Sequence, residues 1–78
     1  MLSKKAYLLI ESEPGSTSQL ISDLTSVKEI TAVEFVSGPY DFIAEIEVDD
    51  VSQLGSLITN VVHPIKGIDR TVTCISIE

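Results

Sequence analysis

Residues 32–48 read AVEFVSGPYDFIAEIEV, and this stretch decides the fold. The run over residues 32–37 is rich in β-forming side chains and stops at Gly38-Pro39, a pair typical of turns. From Tyr40 to Val48 the sequence alternates with a period of two, which indicates a strand with one buried face. One face carries Phe42, Ala44, Ile46 and Val48, whereas the other carries Ile43, Glu45 and Glu47. Two strands joined by a tight connection predict an antiparallel hairpin.

A strand and a helix are predicted before the hairpin. Residues 6–10 form a short, continuous apolar run of the kind found in buried strands, and Glu13-Pro14-Gly15 ends it. Ser16 and Gln19 have the spacing of a capping box. Apolar residues then recur at helical spacing, which predicts a helix over residues 16–27; they are Leu20, Ile21, Leu24 and Val27.

The same two element types follow the hairpin. Asp50 and Gln53 repeat the capping pattern, and apolar residues at positions 51, 54, 57, 58, 61 and 62 predict a second helix. Pro64 and Gly67 end that helix. Residues 70–77 predict the last strand, in which Thr71, Thr73, Ile75 and Ile77 share one face, and Val72 and Cys74 share the other.

The element order is therefore βαββαβ. We predict an α+β, ferredoxin-like fold in which a four-stranded antiparallel sheet carries both helices on one face. Residues 1–78 suffice for a single domain. The first strand is apolar on both faces, so the second sheet face would expose apolar side chains. We expect that face to pack against a second copy as a symmetric dimer.

The charge of the chain excludes several kinds of partner. It contains 12 acidic and 5 basic residues, a net charge of -7, and its basic residues form no cluster beyond the Lys4-Lys5 pair. Phosphate binding requires clustered cations, so we expect this chain to bind neither nucleic acid nor an anionic membrane.

The single cysteine, Cys74, allows no internal disulfide, and no apolar run approaches a membrane span. These features favour the cytoplasm.

No residue pattern indicates catalysis. The only histidine, His63, has no evident partner; Cys74 is more typical of a small buried apolar residue; and Asp49-Asp50 resembles a helix cap, not a metal site. We therefore predict no catalytic residue, metal or cofactor.

The hairpin tip is the best candidate for a binding site, although a simple turn would have the same sequence. Asp41 can pair with an ammonium group, Tyr40 can form an apolar wall with a hydroxyl, and backbone N–H groups near Gly38 can receive a carboxylate. These are the groups that an amino-acid ligand needs. Thr71 and Thr73 favour a strand, and their hydroxyls can also line a polar pocket.

Two motifs resemble those of one known family. Residues 33–43, VEFVSGPYDFI, are similar to the hairpin of the effector (RAM) domain of Lrp/AsnC regulators, and residues 67–73, GIDRTVT, are similar to that domain's entry to its last strand. With the element order, the resemblance covers nearly the whole chain. It implies a regulator of transcription or amino-acid metabolism, with dimers built sheet to sheet and assembled into a higher oligomer such as an octamer. It also implies an amino-acid site between dimers, with Gly38, Tyr40, Asp41, Thr71 and Thr73 as ligand-binding residues.

The sequence departs from that family at its start, because members usually carry an N-terminal helix-turn-helix domain. We expect no DNA-binding domain within residues 1–78, and a full-length regulator of the same family as a partner. Four alternatives stay open. They are a small dimeric α+β barrel enzyme, such as a cofactor-free oxygenase using His63 or a tyrosine; an RNA-binding domain, which the charge opposes; an ACT-type regulatory domain; and a pure oligomerisation module.

Overall fold

A computed structural model, which describes residues 4–77, has the predicted order of elements. The predicted domain limits, residues 1 and 78, lie outside the described part. The elements are β1 (Lys4–Ser12), α1 (Thr17–Thr25), β2 (Ile30–Phe35), β3 (Phe42–Val48), α2 (Ser52–Leu57), a π-helical turn (Ile58–Val62) and β4 (Ile68–Ile75). Within residues 4–77, no helix is long and apolar enough to cross a membrane.

The four strands form one antiparallel sheet in the order β2-β3-β1-β4. Three residues of β1 face the helices, and each has a partner on both sides: Ala6 pairs with Ile46 and Ile75, Leu8 with Ala44 and Thr73, and Ile10 with Phe42 and Thr71. This register confirms the ferredoxin-like fold, with the buried residues of β1 and β3 at the centre of the sheet.

The core lies between this sheet face and the helices. The predicted alternation in β3 is confirmed, because its four inward side chains are buried and its outward ones are not. Fully burying a Leu, Ile or Phe side chain stabilises the fold by about 1.5–3 kcal/mol. The largest fully buried side chains are Phe42, Leu8, Ile10, Leu20, Leu24, Ile46 and Val62.

The two predicted capping boxes have different outcomes. At α2 the prediction is confirmed: Gln53 Oε1 accepts hydrogen bonds from the N–H groups of Asp49 (2.8 Å) and Asp50 (3.0 Å), and Asp50 Oδ1 accepts one from Ser52 (3.1 Å).

At α1 the prediction is wrong. The Ser16 backbone (φ -101°, ψ 2°) lies outside the extended conformation of a capping residue. Its side chain makes no capping bond, and Gln19 donates to Asp23 instead.

Gly67 explains where the Ser16 side chain goes. Gly67 has φ +100°, and a Cβ atom there would lie 2.7 Å from Ser16 Cβ, so only glycine permits this approach. Its carbonyl accepts a hydrogen bond from Glu13 N–H at 2.8 Å. The entry to β4 is thus fixed against the connection between β1 and α1.

The second helix also differs from the prediction at its end. The α-helical part stops at Leu57, and the chain continues to Val62 as a π-helical turn, in which His63 N–H donates to Ile58 O at 2.8 Å. A π turn uses i→i+5 hydrogen bonds and so changes which residues share a face: Val62 is buried, whereas Val61, which the apolar spacing had placed on the same face, is 41% exposed.

Candidate functional site

The outer sheet face, which carries no helix, has apolar side chains at its centre. Leu9 pairs with Ile43 on one side and with Val72 on the other. In the neighbouring row of the same face, Tyr7 pairs with Glu45 and Cys74. Tyr7 and Val72 are 37% and 38% exposed. Cys74 is exposed on this face, so its assignment as a buried residue was wrong for the single chain. The partly apolar outer face agrees with the sequence analysis.

Charged residues lie beside this apolar centre. Lys5 Nζ is 3.5 Å from Glu45 Oε2 and 4.0 Å from Glu47 Oε2. A hydrogen bond from Thr31, more than the charge of Lys5, lowers the pKa of Glu45, whereas Glu45 raises the pKa of Lys5. This network lies toward the end of β3, away from the hairpin loop.

The hairpin loop is longer than predicted. Val36 N–H donates to Asp41 O at 2.9 Å, which closes a four-residue loop over residues 37–40. The strands therefore end at Phe35 and begin again at Phe42. Asp41 N–H in turn donates to Ile10 O at 2.8 Å, so the closed loop is held against the end of β1.

A cavity of about 290 Å³ lies between this loop and the outer face. That volume is near the lower end of the range for small-molecule sites, about 300–1,000 Å³. Leu9 and Ile43 belong both to the cavity and to the apolar centre of the outer face. The complete lining is Leu9, Val36, Ser37, Gly38, Pro39, Tyr40 and Ile43.

Gly38 is not required by the fold of the chain. Its φ lies outside the left-handed region, and a Cβ atom added there would meet nothing within 4 Å. The backbone freedom that a turn glycine supplies is therefore not used. What the glycine does provide is an uncovered stretch of backbone at the cavity, which a ligand can approach closely.

Asp41 lies next to the cavity, and its side chain holds the loop in place. Its Oδ2 atom accepts hydrogen bonds from the N–H group of Ser12 at 2.8 Å and from Ser12 Oγ at 3.0 Å. Within residues 4–77, Oδ1 accepts no hydrogen bond. The carboxylate therefore keeps one oxygen for a further partner.

Two charged residues beside the cavity, Glu11 and Arg70, are not among the site residues predicted from the sequence. The Arg70 guanidinium carbon lies 5.7 Å from the centre of the Tyr40 ring, and Arg70 Nε is 3.3 Å from Glu11 Oε1. The alternation of β1 and β4 contained the signal, because Glu11 and Arg70 stand two residues from Leu9 and Val72 and so share the outer face with them. The sequence predicts Arg70 at the start of the last strand, but gives it no part in a binding site.

The two threonines lie on the opposite face of the sheet. Thr71 and Thr73 pair with the inward residues Ile10 and Leu8, and Thr71 Oγ1 lies 3.3 Å from His63 Nε2. Within one chain, the structure thus brings together Gly38, Tyr40 and Asp41 but separates them from the threonines. In the part of the chain that is described, no three His, Cys, Asp or Glu residues are placed to hold a metal ion.

Solved structures with a similar fold include proteins of similar length and longer regulators. TTHA0845 from Thermus thermophilus is 25% identical, with a TM-score of 0.91 covering 96% of this chain and 94% of that protein. The transcriptional regulator NMB0573 from Neisseria meningitidis, solved in complex with L-Met, has a TM-score of 0.89 over 96% of this chain and 50% of its own. At 8% identity, the second likeness concerns the fold alone.

Sequence comparison identifies the family. An uncharacterised HTH-type transcriptional regulator from Pyrococcus horikoshii is 27% identical over 70 residues, which are 90% of this chain and 44% of the regulator. The chain spans about half the length of the curated relatives that it matches. The sequence model of the Lrp/AsnC ligand binding domain matches residues 5–78. The chain therefore belongs to the Lrp/AsnC family and corresponds to the ligand-binding domain of its transcriptional regulators.

Proposed function

We propose that this chain senses a small amino acid with an apolar side chain and contributes to the regulation of transcription or amino-acid metabolism. The observation that carries the proposal is the cavity at the hairpin loop, where Gly38 and Tyr40 form part of the lining and Asp41 lies beside them. The L-Met complex of the Neisseria meningitidis regulator, which has this fold, supports an amino acid as the ligand class.

Each part of an amino acid finds a matching group at this site. The exposed backbone near Gly38 offers N–H groups to the carboxylate. Oδ1 of Asp41, which accepts no hydrogen bond from residues 4–77, offers an anion to the ammonium group. Leu9, Val36 and Ile43 give the side chain an apolar surface. Each Å² of apolar surface removed from water contributes about 25 cal/mol to the free energy of binding. This lining therefore favours amino acids with apolar side chains over those with charged ones.

Association with other chains belongs to the same proposal. Thr71 and Thr73 face away from the cavity of their own chain, so they would reach a ligand only at a junction between chains. We propose that the outer face forms a dimer and that dimers assemble into a higher oligomer such as an octamer. Because the chain's charge is -7, a full-length regulator of the same family would provide the contact with DNA.

A thermal-shift screen against the twenty amino acids tests the proposal. A ligand at one hundred times its Kd stabilises the folded state by about 2.7 kcal/mol, so apolar amino acids should raise the Tm and aspartate, glutamate and lysine should not. Gly38→Val gives the matched control. A Cβ atom added at Gly38 meets nothing within 4 Å among residues 4–77, so the Tm without ligand should stay near the wild-type value and the ligand-induced shift should disappear. If no amino acid shifts the wild-type Tm, the proposal is wrong.

A further inference from the structure

Three charged residues lie at the same end of three adjacent strands, beside the hairpin cavity. Glu11 of β1 pairs with Arg70 of β4, and Asp41 is held next to them because its N–H group donates to Ile10 O. Glu11 and Arg70 project from the outer face, one row beyond the apolar row of Ile43, Leu9 and Val72. A charged row thus borders an apolar row at the cavity. An amino acid with an apolar side chain requires both, the first for its charged groups and the second for its side chain.

Arg70 is the cation of this row, and its guanidinium is only partly used. Nε lies 3.3 Å from Glu11 Oε1, and within residues 4–77 the guanidinium donates no hydrogen bond to any other residue. The planar guanidinium presents its N–H groups in a fork that matches both oxygens of a carboxylate. Since Arg70 lies over the ring of Tyr40, which lines the cavity, this fork stands at the cavity rim.

The ion pair between Arg70 and Glu11 contributes little to the stability of the fold, so stability does not explain why these two residues lie together. The Arg70 side chain is 63% exposed and that of Glu11 is 37% exposed. Exposed pairs of this kind contribute little to the free energy of unfolding, because water screens them and ordering two long side chains costs entropy. What the pair does is place Glu11 beside Nε while the guanidinium carbon lies 5.7 Å from the centre of the Tyr40 ring.

We infer that Arg70 binds the carboxylate of the amino acid and that Glu11 positions the guanidinium for this contact, an inference that rests on the function proposed above. Arg70 adds a full positive charge to the backbone N–H groups near Gly38. The ammonium group then lies toward Asp41 and the side chain enters the cavity. The charged row therefore selects a zwitterion, whereas the apolar row selects its side chain.

The inference is tested with two ligands that differ only in the carboxylate, L-methionine and L-methioninamide. Binding is followed by NMR titration at about pH 6.5, below the usual α-amino pKa, so that both ligands carry the ammonium charge. The wild-type chain should bind L-methionine at least tenfold more tightly than the amide. Arg70→Gln should weaken L-methionine binding at least tenfold, to the level of the amide, and change the affinity for the amide less than twofold. If the amino-acid screen ranks another apolar amino acid first, that amino acid and its own amide replace the pair.

Lys28→Gln is the matched control. It also removes one exposed positive charge, but Lys28 lies at the opposite end of the fold, in the connection between α1 and β2, so it should leave both affinities unchanged. A second readout is the Nε–H resonance of Arg70, which L-methionine should shift and L-methioninamide should not. A merely structural role of Arg70 would not separate the two ligands in this way.

Three other outcomes of the affinity measurements would contradict the inference. If Arg70→Gln weakens both ligands equally, Arg70 acts only through Tyr40 and the carboxylate assignment is overturned. If Arg70→Gln binds L-methionine as the wild type does, Arg70 has no part in binding. If the wild-type chain binds none of the twenty amino acids, the proposed function itself fails, and this inference fails with it.

Discussion

The carboxylate of Asp41 accepts two hydrogen bonds from Ser12 through the same oxygen, Oδ2, at 2.8 Å from the backbone nitrogen and 3.0 Å from Oγ. Ser12 ends β1 and Asp41 immediately precedes β3. The contact therefore ties the hairpin loop to the middle of the sheet and fixes one side of the cavity. The same carboxylate is the anion that we propose for the ligand's ammonium group, so its structural and binding roles must be measured separately.

Asp41→Ala should lower both stability and affinity. The half-buried N–H group of Ser12 loses a charged acceptor, which should reduce the free energy of unfolding by about 1–3 kcal/mol. The ammonium group loses its anion, which should weaken amino-acid binding tenfold or more, or about 1.4 kcal/mol per factor of ten. Urea denaturation measures the first effect and calorimetric titration the second.

Ser12→Ala separates the two roles. It removes only the bond from Oγ to Asp41 and keeps the carboxylate, so it should cost about 0.5–1.5 kcal/mol of stability and change the affinity less than twofold. Should Asp41→Ala lose stability yet bind the amino acid with wild-type affinity, Asp41 would be a loop residue only.

Two glycines should respond oppositely to the same substitution. Gly67→Ala places a methyl group 2.7 Å from Ser16 Cβ and at φ +100°, which should destabilise the fold by about 2–4 kcal/mol. Gly55 is an exposed residue of α2 whose added Cβ meets nothing within 4 Å, so Gly55→Ala should stabilise the fold by about 0.5–1 kcal/mol. Thermal unfolding of both variants checks this pair. Equal losses would contradict the close approach of Gly67 to Ser16.

The pH dependence of stability should include a contribution from Glu45. Thr31 Oγ1 donates to Glu45 Oε1 at 2.9 Å, and this bond, followed by the charge of Lys5, lowers the pKa of Glu45 below its usual value of 4.5. A carboxyl group whose pKa is lowered by folding stabilises the protein above its unfolded-state pKa, and that stabilisation is lost as the pH falls through the lowered value. Between about pH 5 and about pH 2, Glu45→Gln should therefore lose less stability than the wild-type chain.

Glu34→Gln is the control for that experiment. It removes a carboxylate from the neighbouring strand β2 that makes no ion pair within residues 4–77. Its acid unfolding should follow the wild-type curve. Identical curves for all three proteins would show that the bond between Thr31 and Glu45 does not persist in solution.

The sequence predicts the fold because burial repeats with the geometry of the elements. Phe42, Ala44 and Ile46 alternate with half-exposed residues since only one face of β3 meets the helices. Leu20 and Leu24 are spaced so that both reach the same core. The cap of α2 by Gln53 could be predicted because all of its partners lie within four residues of it in the sequence.

Features that depend on contacts between distant segments could not be predicted in this way. Ser16 has the spacing of a cap, but the approach of Gly67, fifty-one positions later, determines its surroundings. Arg70 reaches the candidate site only through the register of β4 on β1. The same register places Thr71 and Thr73 on the inward face, where their use as ligand-binding residues stays a prediction. Alternation shows that two residues share a face, but not which face it is.

Self-association through the outer sheet face can be tested with two valines of nearly equal exposure. A chain of this length buries only about 60–65% of the surface of its unfolded form, so association adds to a thin core. Val72 lies in the apolar row with Leu9 and is 38% exposed, whereas Val51 precedes α2 and is 40% exposed. At micromolar concentration, sedimentation should show the wild-type chain and Val51→Lys as a dimer or a larger assembly. Val72→Lys should sediment as a folded monomer, because a lysine at the centre of the interface would lose its hydration without gaining a partner. A monomeric wild-type chain would contradict sheet-to-sheet association, and an unaffected Val72→Lys would move the interface to another surface.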